Sequence, residues 1–403
     1  MAITLIGQIL FIISIAVIGL LVHRLIKLEL TLACVVCGFL AGLGIEAVGY
    51  DTGIRAENLQ DLVFFVILPV LIFEAAWNLK PRLLKRWLPA IILLATAGIL
   101  ISTFVTAFIL LRGIDHATGF PWAAALIGGA ILAATDPISV ITQLKENNAP
   151  DDLTTLFEGE SLFNDASAVV LFTLILGLAT HSSDPDGLGP AALFALTFFG
   201  GIAVGGILGF GGSLMAKVLG RASTGPLVVL FVAFSSFYVA EHLLHVSGIL
   251  AVMVAALIVR YQVSRQNSEE IHVIDVTWEW LGEIFNSVLF VLMGLVITLD
   301  MFVDQWLAML IAIAAALVGR ATSVLVCGVI TQPFKRRISF AWQVLLFWGG
   351  LRGAIAVALV LALPTELPYW YTVQSMVFGV VLFSLLVQGT TNGALIARLA
   401  PQR

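Results

Sequence analysis

The apolar positions of this chain fall in runs of about 17 to 25 residues, and a run of that length crosses a hydrocarbon core of about 30 Å as one helix. Polar residues are concentrated between the runs. Thirteen runs are present, at approximately 3–22, 29–48, 60–78, 87–111, 120–143, 156–180, 190–215, 226–243, 245–260, 276–298, 305–331, 338–363 and 371–397. No stretch remains for a soluble domain. The pattern predicts an all-α polytopic membrane protein with about 13 transmembrane helices. Composition agrees, with 60% hydrophobic and 11% charged residues against roughly 25% charged in an average soluble domain.

Charge then sets orientation, because Lys and Arg collect in short cytoplasmic loops. Of 20 basic residues, sixteen fall in one alternating set of loops, from Arg24 and Lys27 through Lys80, Arg82, Lys85 and Arg86 to Arg398 and Arg403. The other set holds only Arg55 and Arg112. The amino terminus is therefore expected outside and the carboxyl terminus in the cytoplasm. The first run opens "MAITLIGQILF" and its positive charges follow it in "HRLIK", the reverse of a cleaved signal peptide, so it reads as an uncleaved helix. Cys34, Cys37 and Cys327 all fall within runs. Cys34 and Cys37 spell CxxC, but thiols in lipid-embedded helices act as small apolar fillers, and no metal or other cofactor is expected. The histidines lie near helix ends or in loops. No basic cluster carries the aromatic interleaving that nucleic-acid binding requires.

Ionised residues at a helix centre cost about 2.5 to 3.5 kcal/mol on insertion scales, so they normally face a protein interior or an aqueous cavity. Here they are Glu74, Asp136, Glu160, Asp165, Arg320 and Arg352, with Glu241, Glu279 and Glu283 nearer helix ends. In "EGESLFNDASAVVLF" (158–172), Ser161 and Asp165 share one helical stripe, and Glu160 and Asn164 form a second about 100° away. Such oxygens suit a hard monovalent cation, and a carboxylate drawn out of water can hold a proton when the cation is absent. A structural polar knot between helices is the alternative. Glu279 and Glu283, one turn apart, either attract cations or mark a solvated helix end.

In "LAATDPISVI" (132–141), Pro137 lacks an amide hydrogen and must kink or unwind the fifth helix, with Asp136 at the break. Broken helices at membrane depth form ion sites in transporters. In "FWGGLRGAIAVALVLALP" (347–364), Gly349, Gly350 and Gly353 weaken the twelfth helix around Arg352. Helices 5 and 12 are thus expected to be interrupted, crossing elements of two inverted repeats, with opposite charges set against facing half-helix dipoles. Gly201, Gly205 and Gly209 of "FFGGIAVGGILGFGG" form a close-packing stripe, facing a neighbouring helix by default or else a second subunit. "HSSDPDGLGP" (181–190) reads as an acidic external loop.

"ATDPISV", "GESLFNDASAVVLF", "VSGILAVMVAALIV", "WEWLGEIFNSVLFVLMGL" and "WGGLRGAIAVAL", in that order and spacing, resemble the cation/proton antiporters of the NhaP type and the eukaryotic sodium/hydrogen exchangers over nearly the whole chain. The resemblance implies an NhaA/NhaP-like thirteen-helix fold, with a core domain (about 60–180 and 276–397) moving elevator-fashion against a dimerisation scaffold (about 1–48 and 190–260). It implies a homodimer in the plasma membrane whose partners are the bilayer, monovalent cations and protons. The implied cation ligands are Asp165, Asp136, Ser161, the Thr135 carbonyl and Glu74, with Asn164 holding the broken helix. Glu160 would pair with an arginine of helix 11, here Arg320 in preference to Arg352.

An Asn-Asp pair, Asn164 and Asp165, resembles the electroneutral type, with Na⁺ as the expected ion and Li⁺ or K⁺ as alternatives. An empty, doubly ionised site would be expensive to carry across the bilayer, and that penalty would couple the two fluxes. Two departures stand out: Lys80 occupies a position where relatives commonly carry an acid, and no cytoplasmic regulatory tail is expected. The chain is not expected to be an enzyme. An intramembrane aspartyl protease would need a GxGD segment with a paired Tyr-Asp, which is lacking. A cation channel would need a filter or symmetric rings.

Overall fold

The computed structural model describes residues 2–48, 61–114, 119–180, 189–219, 225–263, 268–333 and 337–400. Arg55, Arg221, Arg265, Lys335, Arg336 and Arg403 of the basic inventory, and most of the acidic loop, lie outside the described residues. Those described are mostly helical, with no strand; besides the principal helices, a short one spans Leu299–Asp304. In chain order the helices are α1 (Ala2–Ile26), α2 (Leu30–Val48), α3 (Val63–Asn78), α4 (81–113), α5a (Trp122–Ala133), α5b (Ile138–Glu146), α6 (Asp151–Ala179), α7 (Pro190–Leu219), α8 (Gly225–Leu243), α9 (Gly248–Val263), α10 (Ser268–Val296), α11 (Trp306–Ile330), α12a (Phe340–Trp348), α12b (Ala354–Leu361) and α13 (Trp370–Leu399). Among them nine are long and apolar enough to cross a membrane. Their outward faces carry large apolar side chains, such as Ile6, Leu10, Ile207, Phe210, Leu227 and Phe231. Polar side chains turn inward instead, the inverse of a water-soluble protein.

Packing sorts the helices into two groups. α4, α5, α6, α11, α12 and α13 pack around one another, with α11 on α4 and α13 and with α6 on α4 and α5a. α10 packs most extensively on α2, α7 on α9, and α3 on α9 and α10. α3 and α10, which the sequence reading grouped with the core helices, make their most extensive contacts with α9 and α2 respectively. The physical reason is close contact. Gly294 of α10 lies against the Val35 carbonyl and Gly38 of α2, leaving no room for a Cβ. On α3, Phe73 stacks on Trp278 of α10 at 4.2 Å and Trp77 Nε1 donates to Asp275 Oδ1 at 2.6 Å, while Arg260 of α9 lies 5.0 Å over the Trp77 ring and pairs with Asp275 at 2.7 Å.

The glycine stripe of α7 packs within the chain. Gly201, Gly205 and Gly209 lie on the backbone of α9 at Ser247, Ala251 and Ala255, where a Cβ on Gly205 would sit 2.8 Å from the Ala251 Cα. Gly206, one residue along, faces open space. Gly205→Val is therefore expected to cost about 1–3 kcal/mol by forcing α7 off α9, whereas Gly206→Val is tolerated. Thermal unfolding of the two purified variants in one detergent checks the contrast.

Candidate functional site

The breaks in α5 and α12 meet. Because Pro137 donates no hydrogen bond and biases the residue before it towards extended backbone, α5a ends at Ala133 and the chain runs non-helically through Ala134–Pro137. α12a ends at Trp348, and α12b restarts after Gly353, at φ −142° and ψ −135°. The breaks join directly, with the Asp136 amide donating to the Leu351 carbonyl at 2.8 Å. No Cβ fits on Gly353, because the Asp136 side chain lies against it.

Asp136 accepts the Ile138 amide on Oδ1 at 3.0 Å and the Ala354 amide on Oδ2 at 3.2 Å. One carboxylate thus caps the amino ends of both half-helices, where negative charge is favoured. At the opposite polarity, Arg352 donates to the Ala134 carbonyl at 2.8 Å. The sequence reading sets the Asp136 charge against a half-helix dipole, but the Thr-Asp-Pro order alone could not reveal that one carboxylate would cap both helix amino ends.

α6 runs beside the break and presents its two stripes to different tasks. Glu160 forms a two-pronged ion pair with Arg320 at 2.6 and 3.0 Å, both side chains being almost fully buried. Arg352 is not its partner. Arg320 also donates to the Leu346 carbonyl of α12a at 3.0 and 3.2 Å. The Asn164 amide nitrogen reaches the Ala133 carbonyl and the Thr135 hydroxyl, both at 3.1 Å, tying α6 to the end of α5a. On the other stripe, Ser161 donates to the Thr135 carbonyl, and its Oγ lies 3.5 Å from Asp165 Oδ2. Asp165 Oδ1 is buried and has no hydrogen-bond partner, and among the described residues no basic side chain pairs with Asp165.

Ser161, Asp136 and Asp165 line the inner end of a cavity of about 1130 Å³. It lies between the two helix groups, with Glu74 of α3 and Glu279 and Glu283 of α10 on one wall. Asn78 donates to Glu74 at 2.5 Å, and Gly282 lies against the Glu74 side chain. The cavity reaches the surface between the α3–α4 and α5–α6 connections, where Lys80 sits 3.9 Å from Asp151. Eight carboxylates and two lysines line it, a field that concentrates cations. Glu158 is one of the eight, and Asn286 of α10 lines the cavity too. The sequence reading missed Asn286, although it lies one turn beyond Glu283 on the same face. The Thr135 carbonyl, Ser161 Oγ and the Asp165 carboxylate form an all-oxygen group fit for a hard monovalent cation, with Asp136 and Glu74 facing the same space.

Removing Arg320 strands Glu160 in a buried site, so Arg320→Ala is expected to destabilise the fold by about 3–5 kcal/mol. Adding Glu160→Gln to an Arg320→Met variant should recover much of that loss. Thermal unfolding of the single and double variants measures the coupling.

A family profile described as "Sodium/hydrogen exchanger, transmembrane" matches residues 10–398. The Na(+)/H(+) antiporter ApNhaP of Aphanothece halophytica is 36% identical over 364 residues, covering 89% of this chain and 68% of that protein. The Na(+)/H(+) antiporter NhaP of Pseudomonas aeruginosa is 33% identical over 404 residues, covering 94% of this chain and 92% of that protein. The solved structure of the sodium proton antiporter MjNhaP1 from Methanocaldococcus jannaschii, 22% identical, superposes with a TM-score of 0.83 over 98% of this chain and 99% of its own, so the fold is shared. With a profile match over almost its whole length and relatives 33–36% identical over most of it, the chain belongs to the transmembrane sodium/hydrogen exchanger family.

Proposed function

We propose that this protein exchanges Na⁺ for protons across the plasma membrane, electroneutrally and by alternating access, with Asp165 as the group that carries one or the other. The observation that carries this reading is the state of Asp165. It is buried at the inner end of an acidic cavity beside Ser161 and the Thr135 carbonyl, and its Oδ1 has no partner. A group so placed gains a ligand from either a cation or a proton. Glu160 is neutralised by Arg320, Asp136 caps two helix amino ends, and Arg352 donates to the Ala134 carbonyl. Loading Asp165 with one Na⁺ or one proton leaves the same net charge, which supports one-for-one exchange.

The placing of the cavity between the two helix groups supports an elevator-like cycle in which α4–α6 and α11–α13 move against the rest. The cavity opens on the face bearing Lys80 and Lys145, and the basic loops support reading that face as cytoplasmic, with the amino terminus outside. The exposed apolar faces of α1 and α7 offer area for a homodimer.

The test is exchange in proteoliposomes under an imposed pH gradient, with Na⁺, Li⁺ or K⁺ added and the membrane voltage clamped at several values. Na⁺-driven proton movement that is insensitive to voltage and abolished by Asp165→Asn is the expected outcome. Normal turnover in Asp165→Asn removes the proposal, and a voltage-dependent stoichiometry removes the electroneutral assignment.

A further inference from the structure

One wall of the cavity carries a stripe of α10. Glu279, Gly282, Glu283 and Asn286 all line the cavity, and their three- and four-residue spacing puts them on one helical face. Three of them have evident tasks. Glu279 and Glu283 are exposed and contribute to the acidic field, while Gly282 makes room for the Glu74 side chain, whose Cγ lies 2.8 Å from where a Cβ would be. Asn286 is the innermost of the four. The residues that continue its face, Leu289, Phe290 and Met293, are fully buried and do not line the cavity. The polar stripe ends at Asn286, and an apolar seal begins there.

The asparagine is chemically incomplete. Its Oδ1 is shut off from solvent and accepts no hydrogen bond, a state that is unfavourable for an amide oxygen unless a ligand or donor arrives. Asp165, which lines the same cavity from the other helix group, also has a buried oxygen without a partner, Oδ1. Two residues that each hold an unsatisfied oxygen, one charged and one neutral, therefore line one cation-attracting space from its two helix groups.

We infer that Asn286 is a cation-positioning residue: its amide oxygen is a neutral ligand supplied by the α10 wall, which holds the monovalent cation as it sheds water on the way to Asp165, Ser161 and the Thr135 carbonyl. Being neutral, it adds coordination without changing the charge balance of the exchange. Being on α10, it belongs to the wall that the Asp165-bearing helices move against, so its contact is made in the cavity-open state and given up as the cation crosses. The inference rests on the proposed exchange activity for its transport consequences but not for its binding consequence.

The experiment uses the full chain and its Asn286→Ala, Asn286→Ser and Asn286→Gln variants with two readouts. One is the Na⁺ dependence of the unfolding temperature in detergent. The other is KM and Vmax for Na⁺, Li⁺ and K⁺ in proteoliposomes. Asn286→Ala is expected to raise the Na⁺ needed for half-maximal stabilisation, and the Na⁺ KM, about tenfold, as loss of one charge-assisted contact implies, with Vmax little changed. Ser and Gln, which keep an oxygen at a different reach, should recover part of the affinity and alter the ranking of Li⁺, Na⁺ and K⁺. Unchanged half-saturation for all three ions in the Ala variant overturns the inference, as does a loss of Vmax alone that neither Ser nor Gln relieves. If the wild-type chain shows no exchange, the proposed function falls. Asn286 is then judged by the stabilisation curve alone, where a shift in the Ala variant upholds it and no shift removes it.

Discussion

Backbone that stops being helical inside a bilayer has no water to satisfy its amides and carbonyls, and this constraint organises the centre of the protein. Two helices stop there. The carbonyls released by α5a are met by Asn164, Arg352 and Ser161, and those of α12a by Arg320 and by Gln388 of α13, which donates to the Trp348 carbonyl at 3.0 Å. The amides that open α5b and α12b are met by one carboxylate, Asp136. Most polar side chains that stand out in the sequence are therefore occupied with the backbone. Without them the breaks would close into ordinary helix or let the bundle come apart.

The same arrangement isolates one residue. The Glu160–Arg320 ion pair, the Asp136 carboxylate capping two amide ends and Arg352 on the Ala134 carbonyl make a framework tied together at hydrogen-bond distance. Asp165 meets that framework through Ser161, which also donates to the Thr135 carbonyl, and among the described residues no basic side chain forms an ion pair with it. A rigid, compensated surround lets a single carboxylate change its occupant without disturbing the helices that hold it. In the proposed cycle this is what makes a cation and a proton equivalent loads.

Much of this was legible from residue order, and the rest was not for identifiable reasons. Run lengths gave the helices, and Pro137 and the glycines around Arg352 marked both breaks, because loss of an amide or of a Cβ is a local property. The two stripes of α6 followed from helical spacing, and in the structure Ser161 and Asp165 line the cavity while Glu160 and Asn164 turn to the frame. The shared cap at Asp136 was not legible, since it depends on the amide of Ala354, 218 positions away. The packing of α3 on α9 and of α10 on α2 was not read either, although Gly38 and Gly294, which meet at the α2–α10 crossing, carried a signal for it. Asn286 was passed over because an asparagine carries no charge and so does not register as an intramembrane cost.

Coupling in the proposed cycle can be traced to the walls of the cavity. While the cavity is open, an ionised Asp165 is bordered by water and by the field of the acidic lining, and its charge is tolerable. In the elevator-like cycle proposed here, movement of its helices against α3 and α10 would take it past the buried apolar residues Leu289, Phe290 and Met293, where no donor would replace the lost water. Effective penalties for a buried uncompensated ion are several kcal/mol, and each 1.4 kcal/mol is a factor of ten in population. An empty crossing is therefore rarer than a loaded one by about two to three orders of magnitude. No gate has to sense occupancy, because the apolar seal rejects the charge of Asp165 when it is bare and admits it when a cation or a proton has cancelled it.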